Sequence, residues 1–280
     1  MAILIADSGA TKCEWTVVER MKGRKTAFTL GISPYFLNEQ QIRELVQREL
    51  LPEIAKYDIT AVHYYGTGCK SADNRKLINR ALSAEFRGAK VTVETDLLAA
   101  ARSVCGHDKG IACILGTGCN SAYYNGTKVA KNSPGLGYVL GDEGSGAYLG
   151  KKVLQYYMYN TFDEELRYRF DEKFGLTEEE ILDRVYKQPL PNRFLAGFTL
   201  FRAENRGHFM VENIIEDGLN DFFFYHLNKY NESWKHPVHF VGSVAFGFRD
   251  VITELCNSYE FELGKIVQNP MSGLIHYHAQ

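Results

Sequence analysis

Three things are missing from this 280-residue sequence, and each narrows what the chain can do. No run approaches the roughly 20 consecutive apolar residues that span a bilayer. The opening Met-Ala-Ile-Leu-Ile-Ala is interrupted by Asp7, too soon for the apolar core of a signal peptide. No membrane association is expected, and a cytoplasmic location is. Charge of one sign is also lacking: 32 basic against 34 acidic residues leave a formal charge of −2. With no basic run, nucleic acid is not an expected partner, and a small neutral or anionic ligand fits better. Finally, the six cysteines, at 13, 69, 105, 113, 119 and 256, include no C-x-x-C pair and no adjacent histidine pattern. That argues against zinc and for reduced, mostly buried thiols.

What is present is apolar material, 45% of the chain, enough for one large or two medium domains, of which two are expected. Residues 3–18 read as strand, tight loop and strand: four apolar residues lead to Asp7, a glycine-containing turn follows, and Trp15 to Val18 restores a β-rich run. Gly9 lets backbone amides approach an anion closely, and Thr11 adds a hydroxyl. Asp7 at the tip would repel a phosphate unless a divalent cation lay between them, which brings Mg²⁺ into the hypothesis. Asp and Gly are also ordinary turn residues, so a plain solvated turn stands beside this reading.

Further along, Phe28 to Phe36 reads as a strand followed by a loop stiffened by Pro34. Asn38 with Gln41 matches a capping box, and Ile42, Leu45, Val46, Leu50 and Ile54 predict a helix to about Tyr57. A strand over Ile59 to Tyr65 ends in Gly66-Thr67-Gly68-Cys69, a helix carries Leu77, Ile78, Ala81, Leu82 and Phe86, and a short strand over 91–94 delivers Thr95 and Asp96 to a helix over 97–104. At Gly110 the pattern restarts. Ile111 to Leu115 lead into Gly116-Thr117-Gly118, then Asn120 to Tyr124, with Asn125-Gly126 as a hairpin turn. This repeat predicts two related domains, 1–107 and 108–269, with a final helix over about 270–280 that can pack back on the first. Residues 134–146 hold too many glycines for a regular element and read as a loop beside a ligand. Helices follow over 147–159, 164–170, 177–186, 194–202 and 211–227. A strand over 238–241 ends in Gly242-Ser243, with a helix over 245–255 and a last strand over 259–267.

Four segments then fall into one order: Asp7-x-Gly9-x-Thr11, Gly116-Thr117-Gly118, Gly141-Asp142-Glu143-Gly144-Ser145 and Val241-Gly242-Ser243-Val244-Ala245. This combination resembles the sugar kinase, Hsp70 and actin superfamily, and within it the N-acetylglucosamine kinase branch grouped with the BadF/BadG/BcrA/BcrD ATPases. The resemblance implies an α/β fold of two ribonuclease-H-like (actin-like ATPase) domains flanking a nucleotide- and sugar-binding cleft. It implies that Asp7 holds Mg²⁺, directly or through water, and that Ser8, Gly9, Ala10 and Thr11 together with Gly116, Thr117 and Gly118 contact the phosphates of ATP. Gly242 and Ser243 would pack under the adenosine. Asp96 would be the catalytic carboxylate, taking the proton of the attacking sugar hydroxyl. Gly118, Asn120 and Asp142 would complete the sugar contacts, Asn120 offering both a donor and an acceptor. The implied reaction is ATP-dependent phosphorylation of an amino sugar, N-acetylglucosamine to its 6-phosphate, and a homodimer is left open.

Each assignment has a plainer rival. Asp96 can be the N-cap of the helix that follows it, Asp142 and Glu143 can cap a helix beginning near Ser145, Gly66 to Cys69 can be a turn near the sugar, and Lys12 can point to solvent. Two departures bear on specificity: Ser33 stands where relatives often carry a sugar-contacting Asn, and Leu136 stands where some carry Trp. Two other functions share the resemblance. One is an ATPase activator of a radical dehydratase or reductase carrying a [4Fe–4S] cluster, and the other is a non-catalytic sugar or nucleotide sensor.

Overall fold

A strand with apolar residues on both faces must be covered on both, and the first strand, β1 (Ala2–Ser8), shows how this chain does it. In the computed structural model, which describes residues 2–9, 12–19 and 23–279, Leu4 and Ala6 point into one core with Trp15, Val17, Ile42 and Leu82. Ile5 lies in a second core with Tyr65, Ala99, Leu274 and Ile275. The chain divides into two compact units, Met1–His107 with Pro270–Gln280, and Asp108–Asn269.

Among the described residues each unit is built on a five-stranded mixed sheet, and the two sheets share one topology. In the first, β1, β2 (Lys12–Glu19), β3 (Gly23–Leu30), β4 (Ile59–Gly66) and β5 (Lys90–Thr95) lie in the order β3-β2-β1-β4-β5. The first three form an antiparallel meander, and β4 and β5 run parallel to β1 through helical crossovers. In the second, β6 (Lys109–Leu115), β7 (Cys119–Asn125), β8 (Val129–Ser133), β9 (Val238–Val241) and β10 (Leu263–Val267) lie in the order β10-β9-β6-β7-β8. The pairings are again antiparallel for β6 with β7 and β7 with β8, and parallel for β6 with β9 and β9 with β10. Between β8 and β9 the second unit inserts a mostly helical stretch whose aromatic residues form its core, including Phe170, Phe198, Phe201, Phe222 and Phe223.

Several boundaries depart from the sequence expectation, each for a local reason. The strand expected to run past Leu30 stops there, and Phe36 closes a turn back to the Ser33 carbonyl. The helix expected from the Asn38 cap to about Tyr57 is α-helical from Glu39 to Leu45 and then widens to a π-turn over Val46–Leu50. That turn puts Leu45 and Leu50, five residues apart, into the same core, and Pro52 just beyond it supplies no N–H. The single helices expected over 194–202 and 245–255 are each broken, after Gly197 and after Gly247. The last strand begins at Leu263, not Tyr259, because Glu260 adopts φ 58° and the Phe261 amide turns back to the Cys256 carbonyl, a helix C-terminal closure. All six cysteines are buried, and none is in a disulfide. Among the described residues no helix is long and apolar enough to cross a membrane.

The C-terminal helix Met271–Ala279 packs on the helix Asp96–Cys105, so it braces the element that begins at Asp96. The contact is backbone-close: a Cβ on Gly273 would lie 2.0 Å from the Ser103 carbonyl oxygen. At the far end, His278 stacks on His63 at 3.8 Å, and its Nε2 lies 2.9 Å from the Tyr65 hydroxyl, which also accepts from Arg102 at 2.8 Å. Helix propensity favours Ala over Gly by about 1 kcal/mol. The contact opposes it, since forcing a methyl into packed backbone costs about 1–3 kcal/mol. Gly273→Ala should therefore lower the thermal midpoint; a variant as stable as the wild type or more so would show that this helix is not held at that distance.

Candidate active site

In the first unit the residues of interest gather at the C-terminal ends of β1, β4 and β5. Parallel neighbours place Asp7 beside Tyr65 and Ser8 beside Gly66, while β5 hands the chain to the helix Asp96–Cys105. Asp7 is partly buried and its carboxylate receives no hydrogen bond among the described residues; burial first, then the negative Asp96 and Glu14, raise its pKa to about 7. Asp96 is also raised, by burial, against the pull of the Leu97 amide, which donates to its Oδ1 at 2.8 Å. The rival reading of Asp96 as N-cap fails, because Thr95 takes that role by accepting from the Leu98 amide. Asp96 is the first helical residue, and among the described residues no side chain donates to its carboxylate.

The loop after β1 differs in detail from the expectation. The Ser8 hydroxyl is buried and accepts from the Ile32 amide at 3.0 Å, clipping the 31–33 segment to β1, so it is engaged inside the fold. The Gly9 amide donates to the Lys12 carbonyl at 3.0 Å. Ala10 and Thr11 lie outside the described residues. The Lys12 ammonium sits 3.7 Å from the Phe28 ring centre. Gly66 to Cys69 joins the same corner: the Thr67 amide donates to the Ser8 carbonyl, and Gly68, at φ 76°, passes against Pro34 and Tyr35. Ser33 is buried, while Leu136 is exposed.

In the second unit the loop 116–118 is held by its carbonyls. The Gly146 and Ala147 amides, at the start of the helix Gly146–Met158, donate to the Gly116 and Thr117 carbonyls at 2.8 and 3.0 Å. The Gly116 amide closes onto the Gly118 carbonyl at 3.0 Å. The Thr117 and Gly118 amides are left without an acceptor among the described residues, on an exposed turn beside a helix N-terminus. Gly242, at φ 131°, packs under the same loop, where a Cβ would fall 2.2 Å from the Leu115 carbonyl oxygen. Only glycine fits that approach.

Asp142 is brought to this loop from a distant stretch of sequence. It adopts φ 59°, accepts from the Cys119 amide at 3.3 Å, and lies so close that a Cβ on Gly118 would be 3.1 Å from its Oδ2. Burial raises its pKa, the Cys119 amide lowers it, and the neighbouring Glu143 raises it again. Asn120 spends its Oδ1 on the Ser121 amide and the Asn132 amide group, leaving its own Nδ2 as the free donor. The helix cap once ascribed to Asp142 or Glu143 is made by Ser145, which accepts from the Tyr148 amide. Glu143 instead reaches His226, 3.1 Å from Nε2, and the Cys119 thiol lies 3.7 Å from the same nitrogen. Cys119, Glu143 and His226 thus come together from three segments that sequence spacing, with no C-x-x-C pair and no adjacent histidine pattern, could not link.

No family model matches the chain, and no curated protein does. Solved structures do. The putative N-acetylglucosamine kinase of Porphyromonas gingivalis superposes at a TM-score of 0.94 with 39% identity, over 99% of this chain and 98% of that one. The one from Chromobacterium violaceum superposes at 0.75 with 18% identity, again over 99% and 98%. A ROK-family glucokinase from Streptomyces griseus, solved with glucose and AMPPNP, superposes at 0.59 with 17% identity over 99% and 98%; at those two lower identities the likeness concerns the fold. The two repeated sheets are the actin-like ATPase fold, and the 39% identity extends over nearly the whole of both chains. The chain therefore belongs to the family of the Porphyromonas protein, an N-acetylglucosamine kinase-like branch of the sugar kinase and actin-like ATPase superfamily.

Proposed function

We propose that the chain is an ATP-dependent sugar kinase that phosphorylates an amino sugar, N-acetylglucosamine, on its 6-hydroxyl, and that it stands in the branch grouped with the BadF/BadG/BcrA/BcrD ATPases. The observation that carries this is the 116–118 loop, whose carbonyls are tied to a helix N-terminus while two amides stay free, with Asp142 and the Asn120 amide group beside it. Free amides suit an anion. A carboxylate and an amide donor suit sugar hydroxyls and an N-acetyl oxygen. The relative at 39% identity is described as a putative N-acetylglucosamine kinase, and the more distant glucokinase was solved with glucose and AMPPNP.

Each residue has a part. Thr117 and Gly118 hold phosphate oxygens through their amides, as do Ala10 and Thr11 of the first loop, while Gly9, whose amide is spent on the Lys12 carbonyl, lets the phosphate approach and Ser8 fixes the loop's base. Gly242 and Ser243 lie under the adenosine. Asn120, Asp142 and the bare Cα of Gly118 bind the sugar, and any side chain at 118 would displace Asp142. Asp96 accepts the proton of the attacking hydroxyl through its carboxylate, which the Leu97 amide orients by donating to Oδ1. For the metal, Asp7 fits: it is a partly buried carboxylate near two others with no donor on it among the described residues, a set that a divalent cation would neutralise. Asp7 would hold Mg²⁺, which when bound offsets charge on the phosphates.

ADP release measured against hexoses, hexosamines and their N-acetyl forms tests the substrate: N-acetylglucosamine should give the highest kcat/KM, with phosphate on position 6 by NMR. ATP turnover that no hexosamine stimulates would overturn the kinase reading. Asp96→Asn should lower kcat by about 10²–10⁴-fold, the usual worth of a general base, with nucleotide affinity nearly unchanged. Equal loss of both would make Asp96 structural.

Asp7 also gives a pH signature. Its folded pKa of about 7 exceeds the ordinary 3.8, so between those values the folded state binds more protons than the unfolded one. Without divalent cation its contribution to stability is present below about pH 4 and is lost as pH rises through about 7. Thermal melts from pH 4 to 8 should show a decline that Asp7→Asn flattens, and Mg²⁺ with an ATP analogue should raise the wild-type midpoint but not the variant's. A variant whose profile and Mg²⁺ response match the wild type would remove Asp7 from the metal site.

A further inference from the structure

Cys119, Glu143 and His226 place a thiol sulfur, a carboxylate oxygen and an imidazole nitrogen within 4.8 Å of one another, in the core of the second unit. Cys119 opens β7, Glu143 follows Asp142 in the glycine-rich loop, and His226 closes the helix Phe209–Tyr225. Cys119 and His226 are 8% and 4% exposed, so this is an interior cluster and not a surface accident. We propose that these three side chains bind one thiophilic divalent cation, Zn²⁺, in addition to the Mg²⁺ that accompanies a nucleotide.

The spacing suits a tetrahedral ion. Zn–S of about 2.3 Å and Zn–N or Zn–O of about 2.0–2.2 Å at tetrahedral angles put ligand atoms about 3.4–3.6 Å apart. Here sulfur and nitrogen are 3.7 Å apart, and nitrogen and oxygen 3.1 Å. The third pair, sulfur and oxygen, lies within 4.8 Å, and side-chain rotation that draws these two atoms together would seat the ion. The charges also close: a thiolate, a carboxylate and a neutral imidazole around a 2+ ion sum to zero, the condition under which charge is tolerated in an interior. The mixed sulfur, nitrogen and oxygen donors favour Zn²⁺ over Mg²⁺ or Ca²⁺, which prefer oxygen alone. Three protein ligands leave a fourth position for water or a ligand.

The site is also preorganised by contacts that do not involve its donors. Phe222, one turn before His226, stacks on the imidazole at 4.8 Å, and its Cβ lies 2.9 Å from where a Cβ on Gly144 would be. This fixes the loop carrying Glu143 against the helix carrying His226. The Cys119 amide bonds to Asp142, which ties the third ligand's backbone to that same loop. An ion here would pin residues 142 and 143 directly behind the 116–118 turn, a consequence that rests on the kinase reading, whereas metal binding itself can be measured whether or not a sugar is phosphorylated.

The protein purified without chelator, or stripped and reloaded, is assayed for bound Zn²⁺ by mass spectrometry of the metal and by Co²⁺ substitution. One equivalent of Zn²⁺ per chain is expected, with a sulfur-to-cobalt charge-transfer band in the Co²⁺ form. Cys119→Ser should remove the band, and Cys119→Ser and His226→Gln should each weaken Zn²⁺ affinity at least tenfold, with circular dichroism confirming that each variant is folded. Should either variant fail to fold, Glu143→Gln serves in its place, with the same tenfold loss expected. Substoichiometric metal in the wild type, or uptake undiminished in the folded variants, would overturn the site and leave Glu143 and His226 as a hydrogen-bonded pair that steadies the loop.

Discussion

The second unit's site depends on one close approach between backbones, that of Gly242 to the Leu115–Gly116 peptide. β6 and β9 are parallel neighbours, and where both end the chain can turn only if no side chain intervenes. Gly242 meets that condition with a left-handed φ, and the 116–118 turn then lies against the start of the helix Gly146–Met158. Two of that helix's unpaired N-terminal amides are satisfied by the turn's carbonyls. Because a peptide's two poles point in opposite directions, committing the carbonyls inward leaves the Thr117 and Gly118 amides without an acceptor among the described residues. Anion affinity here is thus a consequence of packing rather than of any charged side chain.

The first unit reaches its chemistry by a different route. Asp7, Glu14 and Asp96 are collected where β1, β2 and the helix after β5 begin or end, and burial makes their negative charges costly. Such a group is stabilised by protonation or by a cation, which is why its pH response and its metal response are linked. Ser8 and the C-terminal helix contribute indirectly. The former clips the 31–33 segment to β1 and the latter braces the helix that starts at Asp96.

Much of this was legible in the chain. The apolar strand followed by a glycine loop, occurring at Asp7 and again at Gly116, announced a repeated sheet because strand alternation and turn chemistry are local properties. The capping box at Asn38 and Gln41 was equally local, and it is formed. Boundaries were less legible. The π-turn at Val46–Leu50 and the closure at Glu260 arise where core packing or a left-handed residue overrides a run of apolar side chains. Side-chain roles were least legible of all: that Thr95 and not Asp96 caps its helix, and that Ser145 caps the next while Glu143 reaches His226, depends on which partners the packed backbone brings within hydrogen-bond reach.

The sequence by itself determined the class of fold, the order of strands and loops, and the identity of the glycines and carboxylates at the strand ends, since periodicity and conformational freedom act within a few residues. Only the tertiary structure decided which amides of the loop are free, which residue presses on Gly118, and that Cys119, Glu143 and His226 share one interior point. Those are contacts between segments up to 107 residues apart, as for Cys119 and His226. Such contacts are set by how helices and sheets pack, and composition and spacing along the chain carry no record of them.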